Sequence, residues 1–207
     1  MTQVHTTAGQ RADPAWRADV AAVVVGLAVL LVGMVVVRDG VVPGWERSLF
    51  HDINDLPDAL YHPLWPVQQL GVLVVGPIVA LIALALRRRR LALAVVAATL
   101  AKLVTERAVK LLVTRERPAR SIGDVHLRGD APRGGESFVS GHALLVTALA
   151  GVIVPYLPGR WKLLPWGLVA LVLFSRVYVG AHNPLDVVCG ASLGLAVAGA
   201  LNLAFRP

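Results

Sequence analysis

Charge, aromatic side chains and cysteine are all scarce in this chain of 207 residues. Only 16% of its residues are charged, 6% are aromatic, and there is one cysteine, Cys189. A lone cysteine excludes an internal disulfide, and its place in an apolar run says nothing about redox compartment. The few aromatics are not interleaved with basic residues, which argues against a nucleic-acid surface despite a net charge of +7. No His-x-His, no His-Glu-x-x-His and no clustered carboxylates stand at metal-ligand spacing, so neither a metal nor a cofactor is expected. There is no internal repeat and no separate soluble domain.

What fills the chain instead is hydrocarbon. Hydrophobic residues make up 56% of it and the mean hydropathy is +0.66, a balance that a soluble domain of this size rarely reaches because it must keep a polar surface. Val20 to Val37 carries no charge and as a helix would extend about 27 Å, close to the thickness of a bilayer core. Arg11 and Arg17 precede that run, as basic residues precede a secretory signal. The run is long for a signal core, however, and Arg38-Asp39-Gly40 offers no small-residue cleavage site, so it reads as a retained first span. The same length rule places spans at about 20–37, 65–86, 91–113, 138–156, 163–180 and 184–205. The expected fold is an all-α polytopic membrane protein with six transmembrane helices: a polar N-terminal tail over 1–18, then one six-span domain over 19–207. Residues 38–64 read as a mixed loop, and Gly76-Pro77 predicts a kink in the second span.

Short basic loops stay cytoplasmic, and the turn Arg87 to Arg90 is the best such signal. It sets both termini inside and the 38–64 and 114–137 segments outside. The 114–137 segment nevertheless holds Arg115, Arg117, Arg120, Arg128 and Arg133, which break the rule unless they have another task. Because helix direction alternates, the end of span three, the start of span four, the end of span five and the start of span six share the outer face. Those four ends carry Lys110 and Arg117, then Ser140-Gly141-His142, then Arg176, then His182 and Asp186.

Each of these residues has a use around a phosphate. Arginine meets the anion with a planar, bidentate fork. Ser140-Gly141 opens a helix, where free N–H groups and the positive dipole end favour an anion, and a glycine lets an oxygen approach the backbone. Two histidines allow one to attack phosphorus while the other protonates the leaving oxygen. Asp186, four residues after His182, is within reach of its Nδ1–H and would fix the tautomer. Each also has an ordinary reading. Lys110 and Arg117 can snorkel to headgroups, Ser140 can serve only as an N-cap, Asp186 can close a capping-box pair with Asn183, and His142 can be an interfacial histidine. Together on one face they point to chemistry. His5, His51 and His62 fall in the tail and the first outer loop, away from this set, and His126 is a candidate substrate contact only.

The motifs that hold these residues resemble those of a known family. Lys110-Leu-Leu-Val-Thr-Arg-Glu-Arg117-Pro118 fits Lys-x6-Arg-Pro. Ser137-Phe138-Val139-Ser140-Gly141-His142 resembles Pro-Ser-Gly-His, with Val139 in place of the proline. Ser175-Arg176-Val-Tyr-Val-Gly-Ala-His182-Asn-Pro-Leu-Asp186 fits Ser-Arg-x5-His-x3-Asp. In this order they resemble the type 2 phosphatidic acid phosphatases, or lipid phosphate phosphatases. That resemblance implies that Lys110, Arg117 and Arg176 hold the phosphate, with Ser140 and the Gly141 backbone completing the cradle. It implies His182 as the nucleophile that becomes phosphohistidine, Asp186 as its orienting carboxylate, and His142 as the acid toward the leaving group and base toward water. It also implies a metal-independent phosphatase in the plasma membrane with its site on the periplasmic or extracellular side.

Lys102, Glu106 and Lys110 repeat at i, i+4 and i+8 and so share a face of span three. Charges at that depth face the bundle interior, either as an internal ion pair or with Glu106 positioning Lys110. The expected substrate is a lipid phosphate: a polyprenyl diphosphate such as undecaprenyl diphosphate, phosphatidic acid, or phosphatidylglycerol phosphate. A short chain rich in Ala, Val and Arg looks bacterial, which favours the polyprenyl carrier. Two other functions use the same residues: a lipid phosphotransferase through the same histidine, and a non-catalytic lipid-phosphate binding or transport protein. Gly190, Ala191, Gly194, Ala198 and Gly199 allow close helix packing within the bundle or between chains, which leaves the oligomeric state open.

Overall fold

The structure is a computed structural model that describes residues 13–205. The first helix, α1 (Pro14–Val36), opens with Pro14 in its first turn and with the Asp13 side chain accepting the Ala15 N–H at 3.0 Å, an ordinary N-cap. It starts six residues ahead of the expected span, inside the stretch read as tail. The remainder of that tail, with His5 and Arg11, lies outside the described residues.

The segment expected as a loop over 38–64 contains α2 (Gly44–Asn54), whose buried residues Glu46, Phe50 and Asn54 recur every four positions. Two of the three are polar, so the apolar period that announces a buried helix face is missing from the sequence. The stretch expected as the second span is built as two helices, α3 (Tyr61–Gln68) and α4 (Val75–Ala85), bent by 69° across a short break. The bend precedes Gly76-Pro77 instead of falling on it. Pro77 sits in the first turn of α4, where a missing N–H leaves no bond unmade.

Then follow α5 (Arg89–Leu112), the single turn α6 (Pro118–Ser121), α7 (Gly141–Ile153), α8 (Leu163–Tyr178) and α9 (Pro184–Phe205). Among the described residues the only extended pairing is an isolated bridge between Glu116 and Glu136. Three helical stretches, Pro14–Val36, Gly159–Tyr178 and Pro184–Phe205, are long and apolar enough to cross a membrane, and the bent pair makes a fourth if it acts as one span. The 24 residues of α5 are long enough but carry Lys102, Glu106, Arg107 and Lys110, and the stretch Gly141–Tyr156 is apolar but short.

The surface is as apolar as a lipid-facing one must be: Leu81, Val104, Leu111 and Leu163 are 66–76% exposed while Glu46, Arg115 and Asp186 are buried. Helix α9 runs through the centre, packed along α1 on one side and α7 on the other. Glycine permits that approach. A Cβ on Gly194 would overlap the Leu144 carbonyl oxygen of α7, and one on Gly26 the Ser192 carbonyl oxygen of α9. The small residues of α9 thus serve packing within the bundle.

The loop between α5 and α7 is pinned from within. Arg128 donates from Nε to Asp58 at 2.7 Å, from one terminal nitrogen to the Asn54 and Tyr178 carbonyls at 2.7 Å each, and from the other to the Leu56 carbonyl at 2.8 Å. Its guanidinium also lies 4.2 Å over the Tyr178 ring, a cation–π contact. Gly194→Val should cost about 1–3 kcal/mol by overpacking and lower the thermal midpoint in detergent. Gly167→Ala in α8, where an added Cβ meets nothing within 4 Å, should leave the midpoint unchanged or raise it.

Candidate active site

The C-terminal ends of α5 and α8 and the N-terminal ends of α7 and α9 converge on a cavity of about 340 Å³. Lys110, Arg117, Gly141, His142, Arg176 and His182 all line it, together with Glu106. Residues scattered across more than seventy positions therefore do meet in one place. Ser140 and Asp186 do not face the cavity directly. Ser140 is fully buried, its backbone N–H bonds to the Asp186 carbonyl at 2.9 Å, and its Oγ accepts the Ala143 N–H at 3.4 Å as the N-cap of α7. The hydroxyl expected to touch phosphate is engaged in capping instead. Asp186 stands behind His182.

The two arginines of the cavity are only partly hydrogen-bonded. One terminal nitrogen of Arg117 donates to the Ala181 carbonyl at 2.7 Å and lies 3.5 Å from His182 Nε2, while its Nε has no partner. Arg176 donates to Gln68 Oε1 at 2.7 Å, and its Nε is likewise buried without a partner. Burial holds the Arg117 pKa below its ordinary value, partly offset by the Asp186 and Glu106 charges. A buried donor left unsatisfied is costly, and the two guanidinium groups that line this polar cavity give it the charge an oxyanion needs.

On α5, Glu106 bridges two lysines: Lys110 at 2.6 Å and Lys102 at 2.8 Å, each on a different carboxylate oxygen. The carboxylate rests against the start of α7, where a Cβ on Gly141 would come within 2.7 Å of Glu106 Oε1. The missing side chain of Gly141 thus makes room for Glu106, not for an open phosphate cradle as expected. Glu106 is thus bonded to Lys110 and Lys102 alike.

Behind the cavity His182 is tied to a buried network. Asp186 Oδ2 is 3.8 Å from His182 Nδ1, too far for the direct hydrogen bond expected. Ser137 fills the gap. Its hydroxyl donates to Asp186 Oδ2 and lies 3.4 Å from His182 Nδ1. Asp186 Oδ2 also accepts the Asn183 N–H at 2.8 Å, so the capping-box reading and the orienting reading hold together. Asp186 Oδ1 accepts from Arg115 at 2.8 Å, and the other end of the Arg115 guanidinium grips Glu46 of α2. Glu46 in turn accepts the Leu185 N–H at 2.8 Å. All three charged side chains are 0% exposed. Burial acts to lower the Arg115 pKa, but the bonds to Glu46 and Asp186 outweigh it and raise the value.

This places the Nδ1–H of His182 toward Ser137 and its Nε2 lone pair toward Arg117 and the cavity. Burial pushes the His182 pKa down to about 4, against the opposing pull of Asp186. The ring is therefore neutral and nucleophilic at pH 7.

Several contributors were not expected from the sequence. Gln68 and Gln69 reach the cavity from the end of α3, and Asp130 and Pro132 close it from the loop. Gly71 lies against the second histidine, since a Cβ there would sit 2.7 Å from His142 Cβ and Cδ2. The break between α3 and α4 is what brings these groups in, and a short polar interruption of an apolar span was its one visible signal. His126 does not reach the cavity. It lies in an outer cleft with His62 and Arg133.

The family model described as the PAP2 superfamily matches residues 89–206, more than half of the chain. The chain belongs to the PAP2 superfamily. It is similar to an undecaprenyl-diphosphatase of Sulfolobus acidocaldarius, 32% identical over 118 residues, a stretch that spans 57% of each protein. It is similar to a lipid A 4'-phosphatase of Porphyromonas gingivalis, 36% identical over 69 residues, which cover 31% of this chain and 28% of that protein. The chain thus matches little more than half the length of the first relative and less than a third of the second. Among solved structures it is similar to LpxE of Aquifex aeolicus, with a TM-score of 0.67 and 25% identity over 76% of this chain and 94% of that one. The PAP2-type phosphatidylglycerolphosphate phosphatase of Bacillus subtilis shares the fold at a TM-score of 0.73 and 19% identity, over 89% and 96% of the two chains.

Two outcomes follow from this PAP2 site. Gly71→Ala should displace the His142 ring and lower activity by about tenfold or more through misplacement alone, with little change in the thermal midpoint. The second outcome concerns acid stability. The folded chain keeps His182 neutral down to about pH 4, whereas an unfolded histidine takes its proton near pH 6.5. Between those values the unfolded state binds more protons, so stability should be complete above about pH 6.5 and decline toward pH 4. Chemical denaturation at pH 7 and pH 4.5 should show this loss, and it should be smaller in His182→Gln.

Proposed function

We propose that this chain is an integral-membrane lipid phosphate phosphatase that works through a phosphohistidine at His182. The observation that carries the reading is His182 Nε2, 3.5 Å from Arg117 in a cavity that Lys110, Arg176 and His142 also line. The proposed catalytic residues are His182, His142 and Asp186. Lys110, Arg117 and Arg176 bind the phosphate, Ser140 and Gly141 shape the helix start beside it, and Glu106 supports Lys110.

In the first step the Nε2 lone pair of His182 forms a bond to phosphorus as the bond to the leaving oxygen breaks. His142, which carries its proton once the phosphate charge lies beside it, gives that proton to the oxygen. The developing charge on the phosphoryl oxygens meets Arg117, Arg176 and Lys110, and the positive charge on His182 is balanced through Ser137 by Asp186. In the second step His142, now neutral, takes a proton from water. The water oxygen bonds to phosphorus, the N–P bond breaks, and phosphate leaves. Both histidines are then back in their starting states.

The proposed topology has six spans formed by α1, the bent α3–α4 pair, α5, α7, α8 and α9, in one catalytic unit over residues 19–207. The termini are cytoplasmic and the site faces the periplasmic or extracellular side. The arginines of the 114–137 loop support that orientation, because Arg115, Arg117 and Arg128 are taken up by the site and its walls and so have no part in topology. The substrate proposed is a lipid phosphate, with a polyprenyl diphosphate such as undecaprenyl diphosphate first among the candidates. Support comes from the Sulfolobus relative, from an apolar groove of about 280 Å³ walled by α4, α7 and α8, and from the cation count of the cavity.

Phosphate release by the detergent-purified chain in EDTA should be measured with undecaprenyl diphosphate, phosphatidic acid and phosphatidylglycerol phosphate. Release is expected without added metal, and His182→Ala should lower it by about a thousandfold or more. No release from any of the three by folded protein would favour a binding or transport role instead.

A further inference from the structure

Lys102 lies outside all three motifs, yet it lines the same cavity as both histidines. It starts two helical turns, about 12 Å, before Lys110 along α5, deeper in the bundle. Its ammonium is 2.8 Å from Glu106 Oε2, while that of Lys110 is 2.6 Å from Glu106 Oε1. The two ammonium groups are thus separated by one carboxylate and two hydrogen bonds, on one wall of the cavity. Their side chains are only 15% and 24% exposed. A charge inside a membrane bundle is costly and ordinarily marks a ligand path. Holding Lys110 requires one carboxylate oxygen, and a second buried lysine is not needed for it.

We propose that Lys102 binds the second phosphate of a lipid diphosphate, and so makes the site selective for diphosphates over monophosphates. The inference rests on the phosphatase reading given above. With the reacting phosphate held by Arg117, Arg176 and Lys110 beside His182, the leaving oxygen points toward His142. In a monophosphate ester that oxygen is followed by the neutral hydrocarbon of the lipid. In a diphosphate it is followed by a charged phosphate, which needs a cation toward the middle of α5, and Lys102 is the cation on that wall. When His182 Nε2 bonds to the terminal phosphorus, the bridging P–O bond breaks. The bridging oxygen takes the His142 proton, and the lipid monophosphate departs with its charge balanced by Lys102. Glu106 holds the two ammonium groups on one wall, one at each carboxylate oxygen.

The test compares kcat/KM for a polyprenyl diphosphate and the matching polyprenyl monophosphate, in the wild-type chain and in Lys102→Gln. The diphosphate-to-monophosphate ratio should fall on the order of tenfold, and Lys102→Arg should restore most of it. Equal losses on both substrates would overturn the proposal and leave Lys102 as a counterion of Glu106. If Lys102→Gln does not fold, inhibition of the wild-type chain decides. Methylenebisphosphonate, which carries two linked phosphonates, should inhibit on the order of tenfold more tightly than inorganic phosphate, and equal inhibition would overturn the proposal. A folded wild-type chain that hydrolyses neither lipid would instead overturn the phosphatase reading, and this inference with it.

Discussion

Arg115, sealed from water between Glu46 and Asp186, is the interaction on which the rest of the site depends. Both terminal nitrogens of this guanidinium are paired with carboxylates, and removing one partner of such a buried cluster costs about 3–5 kcal/mol. The pairing joins α2, the α5–α7 loop and the start of α9, three segments far apart in the chain. It also occupies Asp186 Oδ1 and leaves Oδ2 for Ser137 and the Asn183 N–H. Through Ser137 the orientation of His182 follows, and with it the direction of Nε2. The nucleophile is thus aimed by a network that begins on a helix with no residue in the cavity.

The cavity has the opposite electrostatics. Arg117 and Arg176 each keep a buried nitrogen without a partner, and Lys102 and Lys110 share one carboxylate. Cations fixed in this way around one cavity favour an oxyanion, the preorganisation that catalysis at phosphorus uses. The bent α3–α4 pair completes it. The break lets Gln68 meet Arg176 and lets the Gly71 backbone pack on His142.

Much of this was legible in the sequence because charge is so rare in it. Where only a few polar residues interrupt apolar spans, their positions at span ends show which face they share, and Lys110, Arg117, Gly141, His142, Arg176 and His182 do line one cavity. Helix α9 begins at residue 184 as its Asn-Pro start predicts. What was not legible depends on contacts between distant segments. Helix α2 was hidden because its inward face is Glu46, Phe50 and Asn54, and Glu46 reads as exposed until Arg115 is placed beside it. Spacing alone does not show that the Ser140 hydroxyl caps its own helix or that Glu106 fills the space above Gly141. The Ser137 bridge was hidden for a similar reason, since a carboxylate four residues away looks close enough to bond a histidine directly.

The claim that His182 becomes phosphorylated is tested most directly by acid–base trapping. The chain would be mixed with a lipid substrate labelled in the phosphate that is released, quenched in alkali within milliseconds, and mapped by peptide. The account predicts label on the peptide containing His182, stable in alkali, lost in acid, and absent from His182→Ala. Phosphate release at full rate with no label on that peptide would contradict it, and would point to direct attack by water in the same cavity.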